Sequence, residues 1–269
     1  MEWLVGIPCA AFALLLLGEA LAGRKDGSPP HQPWDWALHL IGFAFQGAVI
    51  PLAGYLLATR VLPGAIPRAQ GLLPLGWTGA FLLNFVFVDF LYYWQHRWFH
   101  RSPRLWNLHR CHHSARRVDV WVTARNTLVL HFFFVYFLVN PILGFLVTRP
   151  EAFFAGAMIT AALDLFRHSN LDYARIPGAA FSTPLLKSIF VLPSTHHRHH
   201  AARNCDGNYG ANFVLWDRLF GTLLPESSYP LLYGVSQTPH PLEQLLYPAL
   251  AGRRKKPRAS PPARHASAP

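Results

Sequence analysis

Apolar runs separated by short polar stretches organise this chain. Residues 3–22 (WLVGIPCAAFALLLLGEALA) form a run with Glu19 as its only charge, about the ~20 residues a membrane-crossing helix needs. A cleaved signal peptide competes with that reading, because Ala20-Leu21-Ala22 resembles a cleavage site. The stretch ahead of the run holds Glu2 and no Lys or Arg, which favours a retained span. Residues 23–35 are a polar, Pro-rich connector, and 36–59 form a second run in which Pro51 predicts a kink. Residues 60–71, with Arg60, Arg68 and two prolines, read as a loop. A third run, 72–94, contains Asp89 and closes on Tyr92-Tyr93-Trp94, aromatics suited to a membrane interface. The segment 95–127 is polar, basic and His-rich, so it belongs outside the hydrocarbon. Residues 128–148 are apolar again, and Pro150 separates them from 151–166, which predicts a helical hairpin. A mixed region follows over 167–225. The tail from 251 has six basic residues among prolines and alanines and predicts disorder.

Composition narrows the classes. With 52% hydrophobic and 14% aromatic residues the chain is not disordered. With 14% charged residues it is no coiled coil. Its 269 residues allow one or two domains and a sizeable core. Cys9, Cys111 and Cys205 are odd in number and far apart, so no disulfide framework is implied. The net charge of +11 concentrates in 95–127 and in the tail. Lys and Arg favour the cytoplasmic side of a membrane, which puts both segments there and fits four or five spans. The basic residues flank apolar runs and form no separate basic domain, which argues against a nucleic-acid partner.

The 15 histidines are the anomaly. His96 and His100 are spaced i, i+4 (HRWFH); His109, His112 and His113 are i, i+3, i+4 (HRCHH); His196, His199 and His200 repeat that spacing around His197 (HHRHH). Such positions share one helix face, so each set offers imidazoles that converge without help from loops. Left without a cation, so many buried rings would leave nitrogens unsatisfied and would repel one another when protonated. Imidazole suits Zn, Fe, Cu and Ni. Eight or more His ligands without paired Cys imply two ions rather than one structural zinc. Neither HExxH nor GxSxG occurs, so zinc-protease and serine-hydrolase chemistry lack their signatures. His31, His39, His240 and His265 read as interfacial side chains, and His131 lies alone in an apolar run. A His-rich multi-span metal transporter, or a metal-binding membrane protein without redox chemistry, is the rival reading. Transport sites belong near the bilayer midplane, whereas these histidines follow the end of a span.

In order, HRWFH, HRCHH, the HSN around His168, HHRHH and the trailing block NYGANFVLWDRLFGT (208–222) resemble the fatty acid hydroxylase/sterol desaturase superfamily. The resemblance covers about 75–225. It implies an all-α, multi-span membrane protein with a cytosol-facing, histidine-rich di-metal cap: an anchor at 1–74, a catalytic domain at 75–225 and an extension at 226–269. It also implies two Fe ions, O2 as co-substrate, a lipid substrate oxidised at a C–H bond by hydroxylation or desaturation, and a separate electron donor. Carried over residue by residue, the metal ligands are His96, His100, His109, His112, His113, His168, His196, His199 and His200, with His168 chosen by the resemblance and not by spacing. His197 is then a neighbour of the ligands.

Two departures stand out. Arg125-Asn126-Thr127-Leu128 replaces an Arg-x-His-Pro stretch, and Asp164 occupies the place, four residues before His168, where some members carry His. Asp164 either touches the site, as a ligand or by holding His168, or pairs with Arg167. Asp89, Asp119, Asp206 and Asp217 are carboxylates near the boxes; Asp217 and Arg218 also suit a local salt bridge. Asn208-Tyr209-Gly210 reads as a turn that seats the last box, with Gly supplying an unusual backbone conformation. Phe81, Phe85, Phe87, Phe90 and Phe132–Phe134 either line a lipid tunnel or face lipid. Arg101, Arg104, Arg110, Arg116 and Arg117 suit an acidic redox partner or lipid phosphates equally.

Overall fold

A computed structural model describes residues 2–24, 26–171, 179–203, 205–225, 229–236, 238 and 240–250, apart from the side chains of 2, 3 and 179–183. The basic tail from 251 lies outside the described residues. Among the described residues the fold is helical, with isolated bridges and no strand.

Helix α1 (Gly6–Ala22) buries none of its residues. Its one charge is used inside the molecule: Glu19 Oε1 accepts from the backbone N–H of Val120 (3.1 Å) and of Asn170 (2.7 Å). Helix α2 (Pro33–Ala65) starts at a proline, and its capping box pairs Gln32 with Asp35. It runs past Arg60, further than the expected loop start. Two π-helical turns interrupt it, Phe45–Val49 and Leu57–Val61. Each sits just before a proline, Pro51 and Pro63, where the wider register accommodates a residue without an N–H.

Helix α3 (77–101) combines Trp77–Leu82, a π turn at Leu83–Val88 and Asp89–Arg101. Helix α4 (Pro103–His113) folds back from it. A 3-10 turn (Val120–Ala124) leads to α5 (Leu128–Phe133), and an extended Phe134 separates α5 from α6 (Val135–Leu146). Then come α7 (Pro150–His168), α8 (Ala179–Ile189), α9 (Pro193–His199), α10 (Leu215–Leu219) and α11 (Pro241–Leu246). The expected hairpin is therefore α5–α6 against α7.

Among the described residues, Pro33–Ala65 and Leu128–Leu146 are the helical stretches long and apolar enough to cross a membrane, and only 6% and 33% of their most apolar windows are buried. Faces so apolar and so uncovered suit lipid better than water. The sequence suggested four or five spans. Here α1 is a shorter apolar helix of 17 residues that continues the 3-10 turn Glu2–Val5, and the third apolar run carries Asn84 and Asp89, both buried inside the protein.

The core joins α3, α6 and α7 through Ala80, Val88, Val135, Phe153 and Ala211. Gly156 lets α7 approach α3: a Cβ there would lie 3.0 Å from the Phe81 carbonyl oxygen. Buried Asp89 ties the 208–216 segment to this pair. It accepts from the Asn212 N–H and the Trp216 indole N–H, each at 2.7 Å.

Candidate metal centre

The site follows from two helix reversals. Helix α3 ends at Arg101, Ser102 is extended (φ −99°, ψ 121°), and Pro103 opens α4, a position where proline loses no hydrogen bond. The reversal turns His96 and His100 toward His109 and His113. Pro193 opens α9 in the same way and brings in His196, His199 and His200. His168 arrives at the end of α7.

Nine imidazoles form two groups. His96, His100, His109, His113 and His199 each place a ring nitrogen within 4.8 Å of all the others, and so do His112, His168, His196 and His200. All nine residues the sequence singled out are therefore brought together. Each HxxHH set is divided, however, instead of converging on one point. His109 and His113 (i, i+4) join the first group and His112 the second; His196 and His200 join the second and His199 the first. On a helix, i+3 and i+4 point about 100° apart, so one short helix serves two neighbouring centres.

The ring nitrogens are arranged as metal ligands would be. Nε2–Nε2 separations are 3.1 Å for His96–His109, 3.2 Å for His109–His113, 3.0 Å for His96–His199, 3.1 Å for His112–His168, 2.9 Å for His168–His196 and 3.1 Å for His196–His200. On the far side of four rings, Nδ1 meets a carbonyl oxygen: His96 to Tyr209 (2.9 Å), His112 to Arg125 (3.2 Å), His168 to Asp164 (2.8 Å) and His199 to Gly207 (2.8 Å). A carbonyl only accepts, so these Nδ1 atoms carry the proton and Nε2 keeps its lone pair. Lone pairs facing each other at 3 Å repel unless a cation lies between them. Ligands about 2.1 Å from one ion and at right angles to each other stand about 3 Å apart, which matches these separations. His100 Nε2 is buried in the first group with no hydrogen-bonding partner. The donor set, neutral imidazole throughout, fits first-row transition ions.

Burial holds these rings neutral. Desolvation, with the neighbouring histidines adding to it, pushes His96, His100, His109, His112, His113, His196 and His200 well below 6.5, and takes His199 to about 4.

The flanking residues sort themselves by contact. Both nitrogens of His197 are used elsewhere: Nδ1 meets the Tyr233 hydroxyl (2.9 Å) and Nε2 the Ser169 carbonyl (3.0 Å), which braces the end of α7. Asp164 fills two of its expected roles at once. Its Oδ1 lies 3.1 Å from His168 Nδ1 and 2.7 Å from Arg167. Asp119 pairs with His31 and Arg117. Asp217 forms no pair with Arg218, whose guanidinium donates to the Ser188 carbonyl. Instead Asp217 accepts from the N–H groups of Tyr209 and Gly210 (2.8 Å each) and from the Thr222 hydroxyl (2.7 Å). The loop it folds presents the Tyr209 carbonyl to His96. The unusual backbone in that loop is at Asn208 (φ 56°) and not at Gly210; Gly210 is required because a Cβ would overlap the Phe213 carbonyl oxygen.

Asp217→Ala strands two buried N–H groups, each costing about 1–3 kcal/mol. We expect urea unfolding of the metal-free chain to show a loss of about 3 kcal/mol or more, and metal affinity to fall as His96 loses its fixed orientation.

Beside the second group lies a cleft with about 80 Å³ of accessible space. Gln46 and Ile50 of α2, His131 of α5, and Tyr136 and Phe137 of α6 line it, together with Phe134, Tyr92, Asp164, His109, His112 and His168. Of the seven phenylalanines expected to line a tunnel or face lipid, Phe134 lines this cleft, whereas Phe87, Phe132 and Phe133 are exposed. What the sequence did not single out are the carbonyls of Tyr209, Arg125 and Gly207. Any residue offers a carbonyl, so side-chain identity carried no signal for them.

The fatty acid hydroxylase family model matches residues 81–222, just over half of the chain. Among similar proteins, alkylglycerol monooxygenase of Danio rerio is 32% identical over 191 residues, 66% of this chain and 39% of that protein. Alkylglycerol monooxygenase of Xenopus tropicalis is 31% identical over 163 residues, 60% of this chain and 33% of that protein. The ornithine lipid hydroxylase OlsE of Rhizobium tropici is 34% identical over 154 residues, 54% of this chain and 43% of that protein. The chain thus spans 33–43% of the length of these curated relatives. No solved structure matches. With the family model covering the whole array of histidines from His96 to His200, the chain belongs to the fatty acid hydroxylase family, within the fatty acid hydroxylase/sterol desaturase superfamily.

Proposed function

We propose that this protein is a membrane-bound di-iron oxidoreductase that uses O2 to hydroxylate a C–H bond of a lipid. The observation that carries this reading is the meeting of two imidazole groups with a cleft walled by the two described helical stretches long and apolar enough to cross a membrane. The relatives' names, monooxygenase and hydroxylase of lipids, agree with it. His96, His100, His109, His113 and His199 would hold one iron, and His112, His168, His196 and His200 the other. Two irons bound there would supply the reduction of O2 and the removal of hydrogen from an unactivated carbon.

The chain's own part is positioning. Carbonyls of Tyr209, Arg125, Asp164 and Gly207 fix four rings in the tautomer that leaves Nε2 free. Phe134 and Phe137 give the cleft an apolar stretch of wall, and α2 with α5–α6 lets an acyl or sterol chain enter from the bilayer. One oxygen atom goes to the lipid and the other leaves as water, which takes two electrons and two protons. A separate redox partner supplies the electrons, docking on the basic stretch from Arg101 to Arg117. Residues 75–225 form the catalytic domain, 1–74 the anchor and 226–269 an extension. The histidines and the C-terminus face the cytoplasm, where the positive charge lies.

Metal analysis joined to an activity assay tests this. The full chain in lipid should hold two irons and consume O2 and reductant only when a lipid substrate is oxidised. Metal uptake into sealed vesicles with no lipid oxidation would instead mark a transporter.

A further inference from the structure

Three buried polar atoms on the wall of the cleft have no hydrogen-bonding partner: Asn126 Oδ1, His131 Nε2 and Tyr136 Oη. Asn126 and His131 are each 3% exposed. A buried polar atom left unpaired costs about 1–3 kcal/mol, so three around one cleft are not incidental to packing. The rings of His131 and Tyr136 are held by neighbours. Tyr136 stacks on Tyr92 at 5.4 Å, and His131 lies against Phe45 at 6.1 Å. Opposite them, the π turn Phe45–Val49 brings Gln46 to the same cleft from an otherwise apolar stretch of α2, and such turns often mark functional positions. The remaining lining includes His109, His112 and His168 of the metal groups.

We propose that this wall recognises a hydroxyl group on the lipid, so that the substrate is an alcohol oxidised close to its hydroxyl and not a plain hydrocarbon segment. The atom types make the choice. Asn126 Oδ1 accepts only and needs a donor from the ligand; the Tyr136 hydroxyl donates; His131 Nε2 does either according to its tautomer. A hydroxyl answers all three. An ether or ester oxygen accepts only and leaves Asn126 unpaired, and an alkane leaves every one unpaired. His131, Asn126 and Tyr136 are thus specificity-determining residues. The proposal rests on the reading of the cleft as the substrate site.

The test uses the full iron-loaded chain, kept free of O2 and reductant, in phosphatidylcholine nanodiscs and hexadecan-1-ol bearing a mid-chain diazirine. Photolabelling is mapped by mass spectrometry, and hexadecane, methyl hexadecyl ether and hexadecan-1-ol compete at equal mole fraction. The expected result is labelling of cleft residues, displaced by the alcohol at about tenfold or more lower mole fraction than by the alkane, with the ether weaker than the alcohol. Tyr136→Phe, which removes one oxygen and keeps the ring, should shrink that preference severalfold, and His131→Phe and Asn126→Leu should do the same. Labelling outside the cleft, an alkane or ether as effective as the alcohol, or a preference unchanged in all three variants overturns the proposal. Iron-loaded protein is then assayed separately with O2 and reductant. A preserved alcohol preference with no oxidation of any lipid would sink the oxidoreductase reading and leave the recognition site standing.

Discussion

Replacing His199 by Ala will remove one iron from the chain, and replacing His112 by Ala will remove the other. The two residues belong to different groups, His199 with His96, His100, His109 and His113, and His112 with His168, His196 and His200. Each variant should retain about one iron and lose lipid oxidation by more than the about 10–100-fold typical of residues behind the ligands. The loss should appear in turnover, because in the proposed reaction both irons would take part in reducing O2; His112 also lines the cleft, so lipid binding is measured beside turnover for His112→Ala. Metal analysis after gel filtration, paired with single-turnover product analysis, reads both effects. Equal iron in wild type and either variant, or surviving oxidation, would break the division into two groups.

Acid is expected to open the metal-free protein steeply. In the unfolded chain each of these histidines takes up a proton near pH 6.5. In the folded chain burial holds seven of them neutral well below that, and His199 down to about 4. Below pH 6.5 the unfolded state therefore binds more protons than the folded state, and stability falls as pH falls. Each histidine contributes about 1.4 kcal/mol per pH unit. Several acting together exceed within about one to two units the 5–15 kcal/mol that holds a typical domain. Above pH 6.5 this dependence vanishes. Bound metal also requires neutral imidazole, so metal release should follow the same direction. Circular dichroism and released iron, followed from pH 8 to pH 4, measure it. A flat response down to pH 4 would contradict neutral, buried rings.

Much of the centre was legible before any coordinates. The i, i+4 spacing of His96 with His100, and the repeated i, i+3, i+4 pattern at 109–113 and 196–200, identify faces that a cation must share. His168 was legible only through the family's order of motifs, because it has no partner at helical spacing and reaches the site by the packing of α7 on α3 at Gly156. The division of each HxxHH between two groups was hidden, because spacing fixes where a ring points on its own helix and not which helix faces it. The same limit applied to Asp217. Its neighbour Arg218 suggested an ion pair, but the loop at Tyr209 and Gly210 needs a carboxylate for its N–H groups, and that need arises only in three dimensions. The membrane runs were legible as hydrophobic runs. How far each is covered by protein was not, and buried Asn84 and Asp89 make the third run part of the core instead of a plain span.

If irons held by the two imidazole groups carry oxygen from O2 into a lipid, isotope tracing with 18O2 will find it in the product. The full chain, loaded with iron and given an electron donor and a long-chain lipid, should yield a hydroxylated lipid carrying one 18O atom from 18O2 and none from H2 18O. Product oxygen drawn from water, or metal bound and O2 consumed with no labelled lipid, would contradict the account.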